Sequence, residues 1–306
     1  MIIGGSASQK LAAMISKEMD DELCPVETKK FPDGERYIRI KGEIEKEITV
    51  VQSTAFPQDE NIMELLFLIN NLKDLGAEEI KVVVPYMGYA RQEKRFKTGE
   101  TISARIIANL IEKSGATKFY SVNLHEESVL NFFNIPCKNI SAMNPIAEYI
   151  KEKTDNPIIV GPDKGALKFA EEIADILNCE STYLQKTRIS PEKVETKIVK
   201  MRYDFNTDDP EFKNKKQNVD ISTVEGKEAV IIDDIISTGG TIVNAINILK
   251  DHGAKTIDVC CVHPVLVNDA ILKLYSAGIR NLAGTNTIKS EVSEISLATE
   301  IAKNIK

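Results

Sequence analysis

Apolar residues recur along this chain in two alternating rhythms, short β-branched runs and longer stretches with helical spacing. In the first half ITVVQ (48–52) is followed by a helix-period stretch over 62–75, then IKVVVPY (80–86), a second helix-period stretch over 102–111, and TKFYSVNL (117–124). The second half repeats the order with IIVG (158–161), a helix over 166–177, strands near 181–185 and 194–202, AVIID (229–233), a helix over 241–250, and IDVCCVHP (257–264). Strand and helix in alternation predict βαβ units, and hence an α/β fold with mainly parallel sheets flanked by helices.

The two halves also share a local signature. L-K-D-x-G-A-x-x-I occurs at Leu72 to Ile80 and again at Leu249 to Ile257, each copy joining a helix end to a buried strand, with the glycine placed as a helix C-cap. A weaker echo pairs Ile2-Ile3-Gly4, a helix and Cys24 with Ile159-Val160-Gly161, a helix and Cys179. The pattern predicts a duplicated domain, 1–143 and 144–306, with a helix-period final stretch over 292–305 able to pack on either half. NTDDPEFKNKKQNVD (206–220) has no apolar face and is expected to be a solvated insertion.

Composition narrows the function classes. At 306 residues the chain is about twice a typical domain of ~150 residues, and 42% hydrophobic with 28% charged residues is ordinary for a globular enzyme. A net charge of −7 argues against a nucleic-acid partner, so any anion site must be local. The five cysteines form no C-x-x-C and no cluster with histidine, and are expected to be small buried apolar residues. No apolar run is long enough to cross a membrane, and MIIGGSASQK carries no basic leader, so a cytoplasmic protein is expected.

The chemistry concentrates in VIIDDIISTGGT (230–241), where an apolar strand runs into Asp233 and Asp234 and then into Ser237, Thr238, Gly239, Gly240 and Thr241 at a helix start. Glycines let backbone N–H groups converge on an anion, the three hydroxyls add donors, and the helix N-terminus contributes partial positive charge. Two carboxylates just upstream repel a phosphate but accept hydrogen bonds from vicinal hydroxyls. Together they ask for a phosphorylated pentose. An ordinary capped strand-to-helix turn explains Ser237 to Gly240 but not the acid pair. The comparable strand end in the first half, VQSTAFP (51–57), has neither acids nor Gly-Gly, as expected of a copy that has lost sugar binding.

DDIISTGGT resembles the ribose-phosphate loop of phosphoribosyltransferase-type folds, and its presence in one half of a tandem chain is similar to the ribose-phosphate pyrophosphokinase family, in the archaeal manner. The resemblance runs along the whole chain and implies two tandem phosphoribosyltransferase-type domains, the first on the ATP side and the second carrying the ribose 5-phosphate loop. FPDGE (31–35) reads alone as a β-turn; the resemblance implies that Phe31 stacks on adenine while Asp33 and Glu35 meet the nucleoside across a subunit interface, which calls for a homo-oligomer. Within YARQEKR (89–95), otherwise a solvated charge cluster, it implies that Arg91 and Gln92 bind ATP. His125, after Asn123-Leu124, is implied to contact the Mg²⁺–ATP phosphates or ligate the metal, and Asn123 stands where many relatives have Asp. Asp163 in GPDKGA (161–166), an N-cap on its own terms, is implied to hold Mg²⁺, and Lys164 stands where many bacterial relatives have His. Lys186 and Arg188, in a loop beyond a strand, are implied to be catalytic, closing over ATP about a hinge at Ile189-Ser190-Pro191.

The implied reaction transfers the β,γ-diphosphoryl group of ATP to the 1-hydroxyl of ribose 5-phosphate, with Mg²⁺ as cofactor. Two alternatives share the fold: a phosphoribosyltransferase, which needs neither FPDGE nor the Lys186/Arg188 pair, and a non-catalytic regulator, against which the intact Lys186, Arg188, Asp233 and Asp234 argue.

Overall fold

The parallel strands of both sheets carry near-continuous apolar runs because helices cover them on both faces. The computed structural model describes residues 1–188, 194–200 and 224–306, so the insertion at 206–220 and the expected hinge at 189–191 lie outside the described residues. The chain forms two units, Met1–Ala142 with Thr285–Lys306, and Met143–Gly284.

The first unit holds β1 (Ile2–Gly4), α1 (Gln9–Met19), β2 (Leu23–Cys24), a hairpin of β3 (Val26–Lys30) and β4 (Arg36–Ile40), then β5 (Glu47–Val51), α2 (Gln58–Asp74), β6 (Glu79–Val84), α3 (Ser103–Ser114), β7 (Lys118–Val122) and β8 (Cys137–Ile140). Its sheet runs β2-β1-β5-β6-β7-β8, every neighbouring pair parallel, while β3 and β4 pair only with each other. Along α2 the buried positions are Asn61, Ile62, Glu64, Leu65, Leu68, Ile69 and Leu72, one helical stripe facing the sheet. Phe119 of β7 is fully buried and stacks on Phe133 with centroids 4.2 Å apart.

The second unit holds α4 (Met143–Lys153), β9 (Pro157–Gly161), α5 (Leu167–Leu177), β10 (Glu180–Arg188), β11 (Val194–Lys200), β12 (Glu228–Ile236), α6 (Gly240–Asp251), β13 (Thr256–Pro264), α7 (Ala270–Ala277) and β14 (Asn281–Thr285). Its strands run β11-β10-β9-β12-β13-β14, parallel except for β10 with β11. The order β10-β9-β12-β13-β14 repeats β2-β1-β5-β6-β7, so the duplication holds at the level of topology. The shared signature closes identically in both copies. Ala77 N–H donates to Leu72 C=O and Ala254 N–H to Leu249 C=O, each at 3.0 Å, around Gly76 at φ +97 and Gly253 at φ +76. This six-residue closure with a left-handed glycine is the Schellman cap.

Three expectations need correction. The second domain was expected to reach 306, but Thr285–Lys306 belongs to the first unit, where α8 (Ala298–Ile305) packs against α1. The final stretch is not helical from 292: Ser293–Ile295 is a strand, and Asn286 Oδ1 takes the Leu297 N–H at 3.0 Å just before α8 begins. Among the cysteines, all free thiols, Cys24, Cys260 and Cys261 are buried, whereas Cys137 and Cys179 are only half-buried.

The packing of Phe119 makes a stability prediction. Phe119→Ala should cost about 3–5 kcal/mol through the cavity it leaves, whereas Leu272→Ala, at a side chain 68% exposed, should stay within about 0.5 kcal/mol. Denaturant midpoints would measure both, and equal losses would refute this account of the core.

Candidate active site

In parallel α/β sheets ligand-binding groups gather where strands end and helices begin. β12 delivers Asp233 and Asp234 there: its residues from Ala229 to Ile232 are buried, and Asp234 is 8% exposed. The Asp234 N–H donates to Asp233 Oδ1 at 2.9 Å, and the Ile235 N–H to Asp234 Oδ1 at 2.7 Å. Burial, then the Asp234 charge and a hydrogen bond shared with it, then the Asp163 charge, push the Asp233 carboxyl up to about 8. Two adjacent carboxylates in a partly dry site resist full ionisation until a cation or hydrogen-bond donors arrive.

Beyond β12 the chain turns through Ser237 and Thr238 to Gly239, whose φ of +77 is the left-handed conformation glycine adopts without strain. The first helical bond joins Val243 N–H to Gly239 C=O at 2.9 Å, so the N–H groups ahead of it point out of the helix. The hydroxyls of Ser237, Thr238 and Thr241 are engaged by no other described residue, and no acid lies in the first turn of α6. By contrast the matching helix of the first unit, α2, opens with Asp59 and Glu60. An anion is therefore welcome at the start of α6 and repelled at the start of α2.

Asp163 stands between β9 and α5, exposed, with Oδ1 accepting the N–H of Gly165 at 2.8 Å and of Ala166 at 3.3 Å. It is not the N-cap expected of it: α5 begins after Ala166 with no side-chain cap, and Asp163 instead closes the turn ahead of the helix, its charge reaching Asp233. The structure thus brings Asp163, Asp233, Asp234 and Ser237 to Thr241 together in one unit. Lys186 and Arg188 differ from expectation. They lie within β10, paired with Thr196 and Val194 of β11 rather than in a loop, because the chain turns back as an antiparallel ribbon at this edge of the sheet; their side chains lie outside the described residues.

In the first unit Arg91 and Gln92 follow β6 and His125 follows β7, so adjacent strand ends carry all three. Gln92 Nε2 donates to Lys94 C=O at 3.2 Å and to Glu100 Oε2 at 3.3 Å, and the same carboxylate takes the N–H groups of Phe96 and Lys97 at 2.9 and 3.0 Å. Glu100 therefore organises this loop, a role no local motif announces. Arg91 is exposed and forms no ion pair with any described residue, and His125 is exposed. Asn123 occupies φ +38 and accepts the Ala142 N–H at 2.7 Å, a backbone role that its short amide suits.

FPDGE forms the expected turn between β3 and β4: Phe31 N–H donates to Glu35 C=O at 2.8 Å, Gly34 N–H to Phe31 C=O at 2.9 Å, and Glu35 N–H to Asp33 Oδ1 at 3.2 Å. Phe31 is 45% exposed, its ring edge-on to Tyr37. Local reading missed Arg36, directly after the turn, whose guanidinium pairs with the fully buried Glu64 of α2.

Among the described residues no helix is long and apolar enough to cross a membrane, and no group of three Asp, Glu, His or Cys side chains is arranged to hold a metal ion.

Comparison with known proteins converges on one family. Residues 1–115 match the N-terminal domain of ribose phosphate pyrophosphokinase and residues 136–272 the phosphoribosyl transferase domain. The ribose-phosphate pyrophosphokinase of Methanobrevibacter smithii is 60% identical and that of Methanothermobacter thermautotrophicus 56%, each alignment covering 100% of both chains. The crystal structure of phosphoribosylpyrophosphate synthetase from Mycobacterium smegmatis superposes with a TM-score of 0.82 at 30% identity, covering 100% of this chain and 97% of the other. With its two phosphoribosyltransferase-type units and a single acid-paired phosphate loop, the chain belongs to the ribose-phosphate pyrophosphokinase family.

Proposed function

We propose that this chain transfers the β,γ-diphosphoryl group of ATP to the 1-hydroxyl of ribose 5-phosphate, releasing AMP and 5-phosphoribosyl 1-diphosphate. The observation that carries the reading is the segment from the last part of β12 into α6, an acid pair within the strand followed by unengaged hydroxyl and N–H donors at an acid-free helix start. The 5-phosphate sits against Ser237, Thr238, Gly239, Gly240 and Thr241, and Asp233 and Asp234 accept the 2- and 3-hydroxyl protons as hydrogen bonds. That pose commits the phosphate and the 2- and 3-hydroxyls and leaves the anomeric hydroxyl as the nucleophile. Attack at the β-phosphorus forms the new C1–O–P linkage as the bond to AMP breaks.

On the nucleotide side Phe31 offers a ring for stacking, Asp33 and Glu35 carboxylates for the nucleoside, Gln92 an amide, and Arg91 and His125 cationic or donor groups for the phosphates. Lys186 and Arg188 offset the charge that builds on the transferring group. The donor chemistry fits Mg²⁺, since Asp163 Oδ2 is unengaged among the described residues and such ions commonly take one or two carboxylates plus substrate phosphates. Asp163 would hold it, with His125 the second candidate that the family resemblance implies, and it would supply charge neutralisation and orientation of the phosphates. With Phe31 exposed on a hairpin outside the main sheet, the nucleotide site is completed by a second copy of the chain in a homo-oligomer. Five free thiols suit the reducing cytoplasm.

Incubation of the pure protein with Mg²⁺, ATP and ribose 5-phosphate should yield AMP and the diphosphorylated sugar in equal amounts. No AMP across a range of phosphate concentrations would sink the reading; consumption of the diphosphorylated sugar with a free base would point to a phosphoribosyltransferase instead.

Lys186→Ala should lower kcat by about two orders of magnitude or more with ribose 5-phosphate binding nearly unchanged. Near-normal turnover would remove Lys186 from the chemistry.

The raised Asp233 carboxyl sets a pH dependence in the ligand-free protein. Folding holds its proton up to about pH 8, whereas the unfolded chain releases it in the ordinary carboxylate range. The native state therefore binds more protons between those limits, and stability falls as pH rises through the window. Asp233→Asn should flatten that fall and raise the Tm at pH 8 relative to the parent protein. Parallel Tm profiles for the two proteins would contradict the assignment.

A further inference from the structure

The turn at 31–35 sits on two strands that hydrogen-bond to no other sheet, so something besides a β-ladder must fix where it points. The two residues that flank it, Lys30 and Arg36, are register partners, and both reach α2. Lys30 Nζ lies 2.7 Å from Glu60 Oε2, an exposed pair of the kind that contributes little. Arg36 is different. Its Nη2 donates to Glu60 Oε2 at 3.2 Å and its Nη1 to Glu64, whose side chain is fully buried while that of Arg36 is 13% exposed.

Glu64 occupies the stripe of α2 that otherwise carries Leu65, Leu68, Ile69 and Leu72 into the core. A lone carboxylate there would be costly, and it is tolerated only with a full set of partners. It has them. The Ser6 N–H donates to Oε1 at 2.6 Å, the Ser6 hydroxyl to Oε2 at 2.6 Å, and Arg36 supplies the counter-charge. Ser6 lies between β1 and α1, where the matching turn of the second unit, between β9 and α5, carries Asp163. The strand-to-helix turn of the first unit is thus filled from within by a carboxylate of its own fold.

We propose that Glu64 and Arg36 are a positioning pair: the buried carboxylate, seated on Ser6, holds Arg36 and so sets the direction in which the Phe31–Glu35 turn presents itself to the nucleotide. The assignment rests on the reading of that turn as a nucleotide contact, and it makes Arg36 a residue that acts through its neighbours rather than by touching substrate. A displaced turn would cost ATP binding while leaving the ribose 5-phosphate loop, in the other unit, untouched.

The test compares Arg36→Met, Arg36→Lys and Glu64→Gln with Phe31→Ala by initial rates of AMP formation and by backbone hydrogen exchange over 26–40. Folded Arg36→Met and Glu64→Gln should raise the KM for ATP about 10- to 100-fold, as misplacement of a binding group does, with the KM for ribose 5-phosphate unchanged. Exchange at the turn should quicken. Arg36→Lys keeps the charge beside Glu64 but loses the planar fork that reaches Glu60 as well, so it should fall between; it is also the variant to measure where Arg36→Met does not fold. If Phe31→Ala raises the KM for ATP and the folded pair variants do not, the positioning role is overturned. If Phe31→Ala is silent, the nucleotide reading of the turn fails, and unchanged exchange in the pair variants then overturns the brace as well.

Discussion

Two carboxylates on consecutive residues at the end of a packed strand are an unstable arrangement, and the second unit is built around keeping them there. Asp233 and Asp234 follow four buried residues of β12, which lies between β9 and β13, so the backbone cannot shift to part them. Burial and mutual repulsion hold the proton on Asp233 far above the usual carboxylate range. The ligands proposed for the site would relieve that tension: a vicinal diol donates two hydrogen bonds, and a cation near Asp163 adds charge of the opposite sign.

The same topology carries no such tension in the first unit. There Gln52-Ser53-Thr54, directly after β5, are all buried, and the Gln52 side chain packs so close to Gly5 that a Cβ there would meet Oε1 at 2.3 Å. The space a ligand would need is occupied by protein. At the start of α2 two acids replace the Ser, Thr and Gly donors of α6, and Glu64 fills the turn after β1. The duplicated frame thus carries different side chains at matching turns, and in the first unit one of them, Glu64, pairs with Arg36 beside the hairpin turn.

What the sequence disclosed follows from how local each feature is. The loop after β12 was legible because twelve contiguous residues carry its chemistry, and the paired L-K-D-x-G-A segments because a Schellman cap needs only six. FPDGE was legible as a turn for the same reason. Its brace was not: Glu64 lies 28 residues from Arg36, and the only trace is an acid interrupting the apolar stripe of α2. Glu100, which gathers the backbone of 96 and 97, likewise has no motif. Lys186 and Arg188 read as loop residues because Gln185 to Arg188 is an unbroken polar run, with no apolar alternation to mark the strand that pairs with residues 194–197 at the sheet edge. The strand Ser293–Ile295 was absorbed into a helix by the strong periodicity of the eight residues after it.

A net charge of −7 sits uneasily with two phosphorylated substrates, and the way the sites are assembled suggests how the chain manages it. Long-range attraction contributes little to a protein of this sign, and exposed charges are screened beyond about 10 Å at moderate salt. Affinity must come from short-range donors. At the start of α6 the donors proposed for phosphate are neutral: backbone N–H groups, three hydroxyls and the helix end, with no fixed cation in the loop that would collapse onto Asp233 or Asp234. The cationic residues proposed for the phosphates come from other segments of the chain, Arg91 after β6 and Lys186 and Arg188 within β10. Because residues 230–241 include no Lys or Arg, the loop itself gives Asp233 and Asp234 no cationic neighbour along the chain, which suits the contact proposed between these carboxylates and the sugar hydroxyls.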